Sequence, residues 1–192
     1  MNRAARKQPS KRDLIVEEAA RLFYERGTSL GVDVLVDEIG VAKMTLYKHF
    51  PNKADLITAC LRYVGQRYQE RLEAGVAAGE NAGERVLGIF DSLREWFGTP
   101  SFRGCAFVNA TIELADPDHP AHEAVVEHKL HTREWVAELL TEHGVDDPEF
   151  VARQIVQLME GAITNALVEN DPSAADVARA TAAQVLDRAS KP

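Results

Sequence analysis

Cysteine is nearly missing from this chain. Cys60 and Cys105 are the only two in 192 residues, and their spacing fits neither a zinc knuckle nor a CxxC redox pair. Each reads most plainly as a small buried hydrophobe. Long apolar runs are absent too: nowhere do about eighteen apolar residues follow one another, so no membrane span is expected. The basic start MNRAARKQPSKR leads into a charged helical pattern, with no apolar stretch and no small-residue cleavage site. A secretory signal is therefore not expected, and the chain is read as cytoplasmic. Positive charge is in deficit, with 22 Lys and Arg against 30 Asp and Glu, a net charge of −8. A uniformly acidic protein of this kind would be repelled by a phosphate backbone.

The deficit is uneven. Residues 1–75 carry 13 Lys and Arg against 10 Asp and Glu, net +3, whereas residues 76–192 carry 9 against 20, net −11. A mildly basic first part could approach a polyanion while the acidic remainder points away. Arg3, Arg6, Lys7, Lys11 and Arg12 all precede the first acid, Asp13. Residues 1–9 are read as a disordered basic tail. With 45% hydrophobic and 27% charged residues the rest is neither a disordered chain nor a membrane protein.

Nearly every segment reads as helix, which makes the expected fold all-α with about nine helices. Ser10 with Asp13 three positions on forms a capping-box pattern, and Leu14, Ile15, Ala19, Leu22 and Phe23 then share a face until Gly27. The first helix is placed at 10–26. A short second helix spans 33–39, with Gly40 suited to its C-cap. A third spans 43–50 and stops at Pro51. Asn52, with Asp55 as reciprocal acid, opens a long fourth helix reaching Gly75 or Gly79.

The third helix holds most of the chemistry. Leu46 and Phe50, four apart, anchor one face, while Met44, Thr45 and Lys48 stand opposite, flanked by Tyr47 and His49. A helix this short is not stable alone. With the tight turn and short helix before it, the unit has the form of a helix-turn-helix, whose second helix enters the major groove. Lys43, Tyr47, His49 and Lys53 would then meet phosphates, and Met44, Thr45 and Lys48 would reach base edges. Periodicity alone leaves an ordinary helical hairpin with a solvated face equally open.

A resemblance favours the first reading. FYERG at 23–27 and GVAKMTLYKHFPNKADL at 40–56 resemble the DNA-binding domain of the tetracycline-repressor (TetR) family over residues 10–56. The resemblance implies three N-terminal helices that read double-stranded operator DNA, and a larger C-terminal domain that dimerises and binds a small effector. It places recognition roles on Lys43, Thr45, Tyr47, Lys48 and His49, with Lys53 at a phosphate. Two departures stand out. Met44 sits where the family commonly has a small residue, and the second helix lacks the usual Thr or Ser cap, leaving Gly31 or Asp33. Asp33 beside a phosphate would repel it. The expected domains are a helix-turn-helix at 10–51, a connecting helix at 52–75, and a ligand-binding and dimerisation domain at 76–192.

In that last region helices are placed at 82–98, 102–115, about 118 to 143, 148–169 and 174–190. The eighth is apolar over an arc too wide for one contact, and the ninth is seamed with small side chains. Val151, Ile155, Leu158, Met159, Ala162 and Ala166 on the eighth, with Val177, Thr181 and Val185 on the ninth, are the expected four-helix homodimer interface; a thick internal core is the alternative. Two recognition helices in such a dimer would sit about 34 Å apart, one DNA turn. An effector pocket is sought among Phe90, Trp96, Phe97, Phe102, Cys105, Phe107, Asn109, Glu113, His131 and Trp135, where Asn109 and Glu113 are polar on an otherwise apolar helix.

Other chemistries fit less well. His119 with His122, and His128 with His131, are i,i+3 pairs that could ligate a metal, but no HExxH occurs and an exposed polar face explains them. Cys105 near Asn109 has no base at an informative spacing for nucleophilic or redox work. Glu113 and Asp116 are placed like solvated carboxylates at a helix end. No metal, no cofactor and no catalysis are expected. The sequence is read as a ligand-released repressor, with a helical enzyme or small-molecule carrier as the alternative.

Overall fold

The computed structural model describes residues 8–142 and 144–189. The expected tail at 1–9 lies largely outside the described residues. Among them the chain forms helices only: α1 (Lys11–Arg26), α2 (Val32–Ile39), α3 (Lys43–His49), α4 (Lys53–Ala77), α5 (Ala82–Phe97), α6 (Ala106–Leu114), α7 (Ala121–Glu142), α8 (Pro148–Glu169) and α9 (Ala174–Ala189).

The caps account for the boundaries. At α1 the Ser10 hydroxyl accepts from the Asp13 N–H while the Asp13 carboxylate accepts from the Ser10 N–H, a full capping box. Gly31, with no side chain, is the N-cap of α2. Gly40 adopts φ +71 and ends that helix with a left-handed residue, which a side chain would strain. Asn52 caps α4 by accepting from the Asp55 N–H. The helix expected at 102–115 starts only at Ala106, because Gly104 takes φ +79 and the chain turns there with Phe102 buried. Leu14, expected on the buried face of α1, is exposed.

Two apolar cores result. One gathers Ile15, Leu22, Leu35, Leu46, Phe50 and Leu56 from the N-terminal helices. It also takes in Phe107, Ala110, Ala121, Ala124 and Val125, so α6 and the start of α7 pack with α1 and α4. The other joins α4, α5, α7, α8 and α9 around Leu72, Ile89, Phe90, Leu93, Leu140 and Ile155. Helix α4, 25 residues and hence about 37 Å long, belongs to both. It meets α5 at a glycine crossing: a Cβ on Gly75 would lie 2.2 Å from the Gly88 carbonyl oxygen, so the backbones touch there.

The interface expected on α8 and α9 divides. Val151, Ile155, Met159, Ala162 and Ala166 are buried inside the chain, because α8 packs against α7 on one side and α9 on the other. They belong to the internal core and present nothing to a second copy. Leu158 and Val185 are half-buried at the edge of that core, whereas Val177, 68% exposed, and Thr181 face outward.

Candidate functional site

Two surfaces bring chemistry-bearing residues together. The first is the outer face of α3. Leu46 and Phe50, each 2% exposed, pin the helix to the N-terminal core. The consequence is geometric: residues between those anchors must face away from it. Met44, Tyr47 and Lys48 are exposed, and Thr45 and His49 half-buried beside them. Met44 is 86% exposed, a large apolar side chain standing in solvent with no packing role.

Lys43 is exposed but engaged. Its ammonium meets the Asp33 carboxylate at 2.7 Å, tying α3 to the first turn of α2. That hydrogen bond, with the attraction of the same carboxylate, raises the Lys43 pKa. The pair also neutralises the acid expected to repel a phosphate at the start of α2. Lys53 lies over the Phe23 ring at 6.0 Å and is partly buried, which lowers its pKa. Arg12, outside the expected set, places its guanidinium 5.0 Å from the Phe50 ring centroid at the edge of the same unit.

The second surface is a cavity of about 540 Å³ between α1, α4, α5, α6, α7 and α8. Of the residues expected in a pocket, Trp96, Cys105 and Phe107 line it. The others do not. Phe90, Phe97 and Phe102 sit in the core behind it, Phe102 edge-on to Trp96 at 5.0 Å. Trp135 packs on that core. His131 faces a separate open groove on the α4–α7 side. Asn109 donates to the Arg103 carbonyl at 2.9 Å, and Glu113 reaches away to Thr28.

Much of the wall comes from residues outside the expected set: Tyr24 of α1, Tyr63, Arg67, Tyr68 and Arg71 of α4, Lys129 of α7 and Glu160 of α8. A usable signal was present. Tyr63, Arg67 and Arg71 recur every four residues, one face of α4. His128 stacks flat on Phe107, with ring centroids 3.7 Å apart, and meets Tyr68 edge-on at 5.5 Å. Burial, then the neighbouring Lys129 and His131, lowers its pKa to about 4 and keeps it neutral at pH 7. Lys129 bridges Glu160, at 2.5 Å, and the Cys105 sulfur, at 3.4 Å. Burial opposes its charge, but Cys105 and Glu160 hold its ammonium above the ordinary range. Arg71 lies 5.1 Å above the Trp96 ring, and burial lowers its pKa.

Two contacts tie this cavity to the N-terminal helices. The Tyr24 hydroxyl accepts from the Arg103 N–H at 2.7 Å and donates to the Gly104 carbonyl at 2.8 Å. Glu113 accepts from both the N–H and the hydroxyl of Thr28, the latter at 2.7 Å. The end of α1 is thus bonded to both ends of the 103–113 segment, whose middle lines the cavity. Glu113 is engaged there, not paired with Asp116, whose carboxylate accepts from the Asp118 N–H. Among the remaining histidines, His119 accepts from the Ala121 N–H at the start of α7. Among the described residues no helix is long and apolar enough to cross a membrane.

Comparison with known proteins bears on both surfaces. Residues 15–60 match the family described as bacterial regulatory proteins, tetR family. Residues 82–182 match the tetracyclin repressor-like C-terminal domain. The HTH-type transcriptional regulator YjdC of Escherichia coli K12 is 26% identical over 177 residues, covering 91% of this chain and 93% of its own. The crystal structure of SCO4454, a TetR-family transcriptional regulator from Streptomyces coelicolor, superposes with TM-score 0.84 at 33% identity, over 94% of this chain and 96% of that one. A TetR transcriptional regulator from Chloroflexus aurantiacus, at 24% identity, shares the fold with TM-score 0.79 over 92% and 94% of the two chains.

Proposed function

The chain belongs to the tetR family of bacterial regulatory proteins, and from that membership we propose that it is a cytoplasmic, homodimeric repressor released from a palindromic operator by a small molecule. The fold and the relatives are those of transcriptional regulators. The observation that carries the groove assignment is the α3 face, where two buried anchors hold Met44, Tyr47 and Lys48 outward. Met44, Thr45 and Lys48 reach base edges, the Met44 thioether suiting a thymine methyl. Tyr47, His49, Lys43 and Lys53 fix register on phosphates. Lys43 must exchange its Asp33 partner for a phosphate, so its contribution is smaller than that of Lys48.

The cavity is the effector site. Its occupant contacts the first turn of α6 and the side of α1 together, and the Thr28–Glu113 and Tyr24 bonds pass a displacement of one to the other. Only an effector that binds better when α1 is displaced releases DNA, and the operator must weaken the effector by the same factor. The outward side chains of α8 and α9, Leu158, Val177, Thr181 and Val185, form the dimer surface and set the separation of the two α3 helices.

Fluorescence anisotropy on DNA from upstream of the chain's own gene, from about 50 to 200 mM salt, tests the reading. Nanomolar binding that falls steeply with salt is expected. Lys48→Ala should relax base preference at one position. Salt-independent or absent binding points instead to a carrier or enzyme.

A further inference from the structure

One cation of the cavity wall has no carboxylate partner. The cavity lining holds four Arg or Lys side chains, Arg21, Arg67, Arg71 and Lys129, and three glutamates, Glu17, Glu18 and Glu160. Three of the cations have carboxylate partners: Arg21 bridges Glu18 and Glu25, Arg67 pairs with Glu70, and Lys129 with Glu160. Arg71 has none among the described residues. Its guanidinium is held over the Trp96 ring, partly buried, with its in-plane N–H donors uncommitted. A guanidinium that opens on the cavity with no carboxylate of its own is free to bind an anion there.

A second group points the same way. Tyr68 is 8% exposed and lines the cavity, yet its hydroxyl makes no hydrogen bond within the described chain. The hydroxyl oxygen is not itself buried: it opens on the cavity, where water or an occupant completes its hydrogen bonding. Tyr68 and Arg71 are three apart on α4, and both rest against Trp96, the two rings 5.7 Å apart. The unpaired cation and the unpaired donor therefore flank one spot.

The wall around that spot carries flat aromatic faces beside the paired Lys129 and Glu160. Trp96 lies at one side, and the parallel Phe107–His128 pair, with His128 uncharged at neutral pH, at another. A ring gains more from such planes than an aliphatic chain, because it can stack on them.

Resting on the cavity as effector site, we infer that the ligand is a planar aromatic carboxylate whose carboxyl group is bound by the Arg71 guanidinium and the Tyr68 hydroxyl, with its ring among Trp96, Phe107 and His128. A cationic ligand would face Arg71 and displace it from Trp96. A neutral one could accept hydrogen bonds from both but would leave the Arg71 charge uncompensated.

The test titrates the full chain with 2-naphthoate, 2-naphthamide and 2-naphthylmethylammonium, read by calorimetry and by quenching of tryptophan fluorescence in a Trp135→Phe background. Expected is saturable binding of 2-naphthoate, with 2-naphthamide about tenfold weaker and the ammonium weaker still. Arg71→Met, which keeps the packing on Trp96, should bring naphthoate down to the affinity of the amide, and Arg71→Lys should keep part of the preference. Tyr68→Phe should weaken naphthoate by about fivefold without changing the melting curve. The inference is overturned if the amide or the ammonium binds as tightly as naphthoate, if none of the three binds at millimolar concentration, or if Arg71→Met folds and keeps the preference. Release of operator DNA by the ammonium alone would overturn the anion assignment and leave the cavity as the effector site. Selective naphthoate binding that leaves the DNA complex intact would support the anion site and overturn the regulatory role of the cavity.

Discussion

Thr28 and Glu113 stand 85 positions apart, and their bonds join the end of α1 to α6. Glu113→Ala removes the acceptor of two hydrogen bonds and leaves the Thr28 N–H and hydroxyl unpaired. Thr28 is 7% exposed, so water does not easily replace the lost partner. Hydrogen bonds to a charged group contribute about 1.5–3 kcal/mol when shielded. Glu113 itself is exposed, which places the loss nearer about 1–2 kcal/mol. For a chain of this size that is a fall of about 3–6 °C in Tm. Urea denaturation followed by circular dichroism measures it, and Thr28→Val completes a double-mutant cycle. The Thr28 hydroxyl bond alone should give a coupling of about 1 kcal/mol, and Glu113→Gln, which keeps an acceptor but no charge, should fall between wild type and alanine. A Glu113→Ala variant within about 0.3 kcal/mol of wild type, or additive single effects, would refute the contact as a link between the two helices.

Three further outcomes follow from other parts of the structure. His128 titrates near pH 4 when folded and near 6.5 when unfolded, so as pH falls the unfolded chain takes the proton first. Native stability contributed by neutral His128 is complete above pH 6.5 and is lost between about 6.5 and 4, by about 2–3 kcal/mol after allowance for partial exposure; His128→Gln should flatten that part of the wild-type stability curve, and an unchanged slope counts against it. Gly75→Ala drives a methyl into the Gly88 carbonyl and should separate α4 from α5, costing several kcal/mol in denaturant melts, whereas Gly161→Ala, with open space around it, should cost little. Val177→Glu puts a charge on the outward face of α9 and should shift the mass by light scattering from dimer to monomer while the helical signal is unchanged; a dimer that persists places the interface elsewhere.

How much of this was legible in the sequence depends on how far apart the cooperating residues lie. The α3 face is local: Leu46 and Phe50 as anchors and Met44, Tyr47 and Lys48 opposite them follow from a seven-residue helix and its 3.6-residue period. The caps at Ser10, Gly40 and Asn52 are local as well, and they fall where the residue types predict. The first turn of the sixth helix was misplaced for a local reason, the left-handed Gly104, which periodicity does not register. The buried half of α8 was misassigned for a non-local one. Its wide apolar arc is equally what a dimer seam or a doubly packed core helix requires, and only the positions of α7 and α9 decide.

The cavity is the extreme case, because no helix contributes more than a fragment of it. Its aromatic character is visible in the sequence, but the aromatics that face it are chosen by helix rotation: Trp96 turns inward to it while Phe97, the next residue, fills the core. Helix α4 is the element that connects the two problems. Its first half carries Leu56, Ile57, Cys60 and Leu61 into the core beneath α3, and its second half carries Tyr68 and Arg71 to the cavity wall. A rigid rod with one end under the DNA-reading unit and the other on the cavity wall cannot be tilted at one end alone. Substitutions at its midpoint should therefore alter the coupling between ligand and operator more than the affinity for the operator alone. Gly65 is the position to probe, since a methyl there would press on His128 at 3.2 Å and on Phe107 at 3.4 Å. Gly65→Ala should shift naphthoate affinity through those rings and change the factor by which 2-naphthoate weakens operator binding, with operator affinity alone shifting less, and an unchanged factor would remove α4 from the transmission.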